Sequence, residues 1–157
     1  MIITAILVKC YDGGPVLYKQ IRCTKDCREF EIMKFRSMRT DAEKDGVARL
    51  AQKNDDRITP IGKFIRKVRI DELPQLWNIF IGEMSVVGPR PVIENSPELL
   101  KERDKYGAND VRPGLSGWAQ ICGRDELEIE HKARLDGEYI EKLSFAFDCR
   151  CFFGTAI

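Results

Sequence analysis

Asp71 and Glu72 are adjacent carboxylates in Arg69-Ile70-Asp71-Glu72-Leu73-Pro74-Gln75-Leu76-Trp77-Asn78-Ile79-Phe80, behind a basic segment and ahead of an apolar one. Crowded carboxylates repel unless a cation offsets them. Neighbours in sequence diverge on a helix, so these two cannot face each other as a proton-sharing dyad. Two separate tasks fit them better. One carboxylate would hold a divalent cation, with Mg²⁺ bridging it to substrate phosphates, and the other would attack or accept a proton. A helix N-terminus at Asp71 would add free N–H groups and partial positive charge, which suit a phosphate. The structural alternative is that Asp71 caps the helix and Glu72 complements its dipole.

Cations crowd the same stretch. From Arg57 to Arg69 there are five basic residues (Arg57, Lys63, Arg66, Lys67, Arg69) and no acid. Later, Val87-Gly88-Pro89-Arg90-Pro91 holds Arg90 between prolines, which reduce the entropy lost when its guanidinium is fixed on a phosphate or nucleobase. Lys34 and Arg36 add two cations from upstream. Surface arginines are common, so each alone says little; with the carboxylates they compose a cradle for a diphosphate. Other chemistries lack parts. His131 is the only histidine and stands in a charged stretch that reads as solvent-facing. There is no GxxxxGK[ST] loop and no GxGxxG after a strand.

The elements that must position these groups can be outlined. Asp12-Gly13-Gly14-Pro15 reads as a turn. Segments 16–21 and 30–35 read as an antiparallel hairpin, with Lys34 and Arg36 on one face of its second arm and Phe35 on the other. Residues 40–56 are polar and mixed in charge, expected to be partly helical and exposed. Thr59-Pro60 opens a helix as N-cap and first-turn proline, with Ile61, Phe64, Ile65 and Val68 on one face. That stripe suits a surface helix burying Phe64 and Ile65, or a helix lying among lipid headgroups. A second helix starts at Asp71, admits Pro74 in its first turn, turns Leu73, Leu76, Trp77 and Phe80 to an apolar face and ends at Gly82. Helices over 96–106 and 126–143, a turn-rich link over 113–118 and an apolar end over 145–157 complete the chain.

At 157 residues the chain fits a single domain, 1–157, able to bury roughly two-thirds of its unfolded surface. The fold class expected is α+β, mainly helical, with a small β-hairpin and amphipathic helices at a membrane interface. Net charge is +1, so no global field argues for nucleic acid. Six cysteines without a CxxC pair or a zinc-type histidine spacing read as reduced thiols. No run of 18 apolar residues exists for an ordinary membrane-spanning helix. Met1 to Val8, apolar apart from Thr4, reads as the tail of something longer or as a first buried element.

Six motifs in order resemble the bacterial sugar transferases, the monotopic phosphoglycosyl transferases: Asp12-Gly13-Gly14-Pro15-Val16, Lys34-Phe35-Arg36-Ser37-Met38, the Arg69–Asn78 run, Met84-Ser85-Val86-Val87-Gly88-Pro89-Arg90-Pro91, Arg112-Pro113-Gly114-Leu115-Ser116-Gly117-Trp118 and Leu135-Asp136-Gly137-Glu138-Tyr139-Ile140. The resemblance implies transfer of a sugar phosphate from a UDP-sugar to undecaprenyl phosphate with release of UMP, beginning exopolysaccharide, capsule or O-antigen assembly. By motif it implies Asp71 as nucleophile through a covalent phosphosugar intermediate and Glu72 as Mg²⁺ ligand. Lys34, Arg66 and Arg90 would steady phosphates or nucleotide, and Asp136 would occupy a further acidic position of the site. The implied location is the cytoplasmic face of the bacterial inner membrane, monotopic or peripheral, with the oligomeric state left open between monomer and homo-oligomer.

In that family a longer hydrophobic segment that enters the membrane and turns back precedes Asp-Gly-Gly-Pro-Val. Here eleven residues do, so the re-entrant helix is expected to be largely missing and membrane contact to rest on interfacial helices. Two other readings stay open: a truncated non-catalytic module that binds nucleotide sugar or anionic lipid, and a soluble nucleotide-sugar hydrolase.

Overall fold

The computed structural model describes residues 1–42, 55–93, 96–123 and 127–155. Most of the expected 40–56 segment therefore lies outside the described residues. The chain is α+β and mainly helical, as its patterning predicts, and it divides into two compact units: residues 1–19 with 33–76, and residues 20–32 with 77–157.

In the first unit, helix α1 (Ile2–Asp12) ends at Gly13, whose φ of 70° no β-carbon obstructs. Thr4 and Val8 are buried while Ile2, Ile3, Ile6 and Leu7 are exposed, so only one side of this apolar helix joins the core. Helix α2 (Pro60–Lys67) begins as expected: Gly62 N–H donates to Thr59 Oγ1 at 2.9 Å, and Pro60 takes the first turn. Ile65 packs with Val8 and Phe35, joined by Ile61 and Ile70. Phe64 does not follow Ile65 inward; it is 62% exposed. Eight residues of helix offer one narrow buried stripe, and Ile61 and Ile65, four apart, fill it.

Strands β1 (Leu17–Cys23) and β2 (Glu29–Phe35) are the two arms expected, neighbours in a sheet of order β2-β1-β4. In the second unit, β4 (Val92–Ile93) pairs antiparallel with β1, Arg22 opposite Ile93 and Cys23 opposite Val92. Phe30 and Ile32 of β2 pack on Met84 and Ile79. A second sheet has no signature in the sequence: β3 (Ser85–Val87) runs parallel to β5 (Gly114–Ser116), in what reads as a turn-rich link. Two glycines make that approach feasible, since a Cβ on Gly114 would stand 2.1 Å from the Gly88 nitrogen. Helix α4 (Pro97–Asp104) sets Leu99 against Val92 and Ala133 of α6 (Ile129–Glu141). The expected apolar end is helix α7 (Phe145–Thr155), which follows α6; the short α5 (Trp118–Cys122) precedes it. Trp118 and Tyr139 both meet Phe147.

The expected helix from Asp71 to Gly82 is broken. Ile70–Glu72 forms one 3₁₀ turn, and regular helix α3 spans only Gln75–Phe80. Its burial is inverted relative to an ordinary surface helix. Asp71, Glu72, Gln75 and Asn78 are buried, whereas Leu76, Trp77, Phe80 and Ile81 are exposed, Phe80 by 80%. Among the described residues no helix is long and apolar enough to cross a membrane.

Candidate functional site

The site builds outward from α2. Residues 37–39 run beside 57–59: Thr59 N–H donates to the Ser37 carbonyl at 3.0 Å, and Arg39 N–H donates to the Arg57 carbonyl at 2.9 Å. Arg57 fastens the entry by donating from Nε and Nη2 to the Asp55 carboxylate at 2.9 and 2.6 Å. Helix α2 then approaches so closely that a Cβ on residue 62 would stand 1.9 Å from the Ser37 carbonyl oxygen, which requires Gly62. One turn on, Arg66 Nε donates to Ser37 Oγ at 2.7 Å.

The chain leaves α2 sharply. Arg69 adopts φ 55°, ψ 19°, a left-handed conformation that costs an L-residue about 1–2 kcal/mol. The 3₁₀ turn that follows presents Asp71 and Glu72 as the end of a bend and not as the start of a continuous helix, so Asp71 is not an N-cap. Lys34, from the exit of β2, donates from Nζ to Glu72 Oε1 at 3.0 Å, both side chains largely buried. Glu72 thus has a direct cation. Asp71 has none among the described residues.

Burial pushes the Asp71 carboxyl above the usual carboxylate range, and the neighbouring Glu72 charge pushes it further; Lys34 and Arg66 pull the other way through space. Burial also lowers the Arg66 guanidinium, opposed chiefly by Asp71, although an arginine stays charged at any working pH. A buried carboxylate under-compensated by protein is short of positive charge, which is the condition of a group awaiting a cation or an electrophile. The donor chemistry fits Mg²⁺: two hard carboxylate oxygen donors, to be completed by phosphate and water. Among the described residues no group of three or more His, Cys, Asp or Glu could hold a metal alone.

Thus the first unit brings together Lys34, Arg66, Asp71 and Glu72. The other two expected residues lie in the second unit. Arg90 sits in the Pro-Arg-Pro turn, half-buried. Asp136, on α6, is 1% exposed and takes Arg103 of α4: Nε donates to Oδ2 at 2.7 Å and Nη2 lies 2.6 Å from the same oxygen. Burial raises its carboxyl against the pull of Arg103. Arg103 Nη1 donates to the Arg90 carbonyl at 3.0 Å.

Sequence reasoning gives no role to Ser37, Arg103 or Gln75. Arg103 stands four residues after Leu99 on α4, a spacing that puts both on one face, and that is its one signal. Gln75 is 2% exposed, and its Nε2 lacks a hydrogen-bond acceptor among the described residues, which no local pattern announces. His131 is exposed, as its surroundings predict, and all six cysteines are free.

Comparison with known proteins supplies the class. The whole chain, residues 1–157, matches bacterial sugar transferase and belongs to that family. It is 40% identical over 168 residues to the exopolysaccharide production protein PSS of Rhizobium leguminosarum bv. phaseoli, covering 100% of this chain and 84% of that one. It is 41% identical over 160 residues to the UDP-N-acetylgalactosamine-undecaprenyl-phosphate N-acetylgalactosaminephosphotransferase of Aeromonas hydrophila, covering 99% and 38%. It is 39% identical over 158 residues to the UDP-glucose:undecaprenyl-phosphate glucose-1-phosphate transferase of Escherichia coli, covering 96% and 34%. The chain therefore spans most of the first relative and about a third of the other two.

Proposed function

We propose that this chain transfers a sugar 1-phosphate from a UDP-sugar to undecaprenyl phosphate in two displacements at Asp71. A carboxylate oxygen of Asp71 attacks the sugar-bearing phosphorus. The bond from that phosphorus to the bridging oxygen breaks, and UMP leaves with the electron pair. A phosphate oxygen of undecaprenyl phosphate then attacks the same phosphorus and returns Asp71 as a free carboxylate. Splitting the transfer this way lets one side chain serve as a covalent relay. Glu72 would hold Mg²⁺, which when bound offsets charge on the transferred phosphoryl group. Lys34 keeps Glu72 in place, and Arg66 and Arg90 steady phosphates.

The observation that carries this reading is the asymmetry of the carboxylate pair. Glu72 has Lys34 at 3.0 Å, while Asp71, its neighbour, is buried with no direct cation among the described residues. The family and the printed activities of the Aeromonas and Escherichia relatives support the substrate classes. The exposed apolar side chains of α1, α2 and α3 support binding at the headgroup level of a membrane, where a polyprenyl acceptor resides; the family resemblance implies its cytoplasmic face.

The test is UMP release from a panel of UDP-sugars with undecaprenyl phosphate and Mg²⁺, alongside mass spectrometry of the protein without acceptor. Expected are acceptor-dependent turnover and a sugar-phosphate adduct on Asp71. Turnover that survives Asp71→Asn rejects the nucleophile; UMP release that ignores the lipid acceptor points to hydrolysis instead.

A further inference from the structure

The turn that carries Arg90 is anchored at Gly88, whose N–H donates to the Ser116 carbonyl at 2.8 Å, and through its carbonyls. Pro89 and Pro91 have no N–H to give, so stiffness along the chain does not by itself fix where the turn points. Ser85 Oγ donates to the Val87 carbonyl and Gly114 N–H to that of Pro89 at 2.9 Å, while the Tyr139 hydroxyl, whose one proton goes to Asp148 Oδ1 at 2.8 Å, lies 3.3 Å from the Val87 carbonyl. Two further anchors are guanidinium groups. Arg103 Nη1 donates to the Arg90 carbonyl at 3.0 Å, and Arg22 Nη1 donates to the Pro91 carbonyl at 3.1 Å.

Each of these arginines is itself held by an acceptor. Arg103 is 3% exposed; its Nε donates to Asp136 Oδ2 at 2.7 Å, and Nη2 lies 2.6 Å from the same oxygen. Arg22 gives Nε and Nη2 to Gln20 Oε1, at 3.0 and 2.6 Å. The two arrangements share a logic: two corners of the planar fork face a holder, and the third meets the turn. A buried ion pair is a poor source of net stability, because desolvation of both charges offsets their attraction. A planar fork is nonetheless well suited to fixing a carbonyl in space, since its donors keep a fixed mutual geometry.

We infer that Arg103, oriented by Asp136, and Arg22, oriented by Gln20, are positioning residues that fix the Val87–Pro91 turn and with it the aim of Arg90 at a phosphate of the nucleotide sugar. The inference rests on the phosphate role proposed above for Arg90. It makes Asp136 act through Arg103, without touching substrate.

Arg103→Lys and Arg22→Met test it in the full chain. A lysine keeps a charge opposite Asp136, but one ammonium on a flexible stem cannot also serve the Arg90 carbonyl in the same geometry. Arg22 is half-buried, so its replacement keeps the test open if Arg103→Lys fails to fold. Melting temperature, kcat, donor KM and calorimetric binding of UMP are measured for each, alone and combined with Arg90→Ala. We expect folded variants whose donor KM and UMP Kd rise about tenfold while kcat stays within about threefold, the scale of a binding group moved off its mark. Combined with Arg90→Ala they add nothing further, because the side chain they aim is already gone.

An unchanged donor KM and UMP Kd in a folded variant overturns the inference, as does an increase that multiplies with that of Arg90→Ala. If Arg90→Ala itself weakens binding and neither positioning variant does, only the inference falls. If Arg90→Ala changes nothing, the phosphate role and the inference fall together. If the wild type releases no UMP, the proposed reaction fails, and UMP binding alone still decides the positioning.

Discussion

Asp71 and Asp136 are both aspartates with almost no exposed surface, one in each compact unit, and their surroundings treat them in opposite ways. Asp136 is closed: a guanidinium meets it directly, and the same arginine is engaged by a backbone carbonyl. Asp71 is open: Lys34 is spent on Glu72, and both Lys34 and Arg66 reach Asp71 only through space. Burial is therefore no guide to role among acidic residues. On the proposed reading, what separates a structural carboxylate from a reactive one is whether the protein itself completes the charge balance.

The sharpest break of this contrast is Asp71→Asn. UMP release is expected to fall at least about 10³-fold, the scale on which a catalytic group is lost, while melting temperature rises. The rise follows from linkage. Asp71 holds its proton more tightly folded than unfolded, so wild-type stability is highest below the unfolded pKa and falls as pH climbs through the raised folded one. The amide of the variant cannot titrate, and its stability curve should lack that decline. A variant that loses both activity and stability would erase the distinction between the two aspartates.

Asp136→Leu alone is the counterpart. It leaves Arg103 buried without its carboxylate, which should cost about 3–5 kcal/mol by denaturant unfolding. Joining it to Arg103→Met should return most of that, since both charges then leave the interior together. A single variant as stable as the wild type would mean that Asp136 was as little compensated as Asp71.

Lys34→Met gives a finer probe. Removing the first of the two cations that oppose the rise of the Asp71 carboxyl should move the acidic limb of the activity–pH profile upward, because activity needs the ionised form. A downward or absent shift would show that Lys34 does not act on Asp71. The smallest effect is expected at Thr59→Ala, where loss of the α2 cap bond should lower stability by about 1 kcal/mol. It should leave that pH limb in place.

The sequence disclosed most where local chemistry governs. Thr59-Pro60 announces a helix start whatever surrounds it, and the two arms of the hairpin carry their strand character in β-branched and aromatic residues. The carboxylate pair and its cations are legible for a similar reason, as residue types that need one another. Illegible were features decided by neighbours remote in the chain. The β3–β5 ladder depends on Gly88 and Gly114 nearly touching across 26 residues of sequence, and a turn-rich string looks the same with or without a partner. Trp77 and Phe80 read as an apolar face by spacing, but spacing cannot say which side of a helix is inside when the other side carries Gln75 and Asn78. Arg103 looks like any surface arginine until Asp136 stands beside it.

One backbone angle carries more than its share. Had Arg69 kept the right-handed dihedrals of the helix before it, α2 would run on through Ile70, and its axis would carry the two acids along the same cylinder as Lys63 and Lys67. The left-handed step instead ends that cylinder, and both acids turn inward out of solvent. A β-branched residue at position 69 would resist that step, so the geometry of the proposed nucleophile is written partly in the backbone freedom of a residue two places before it.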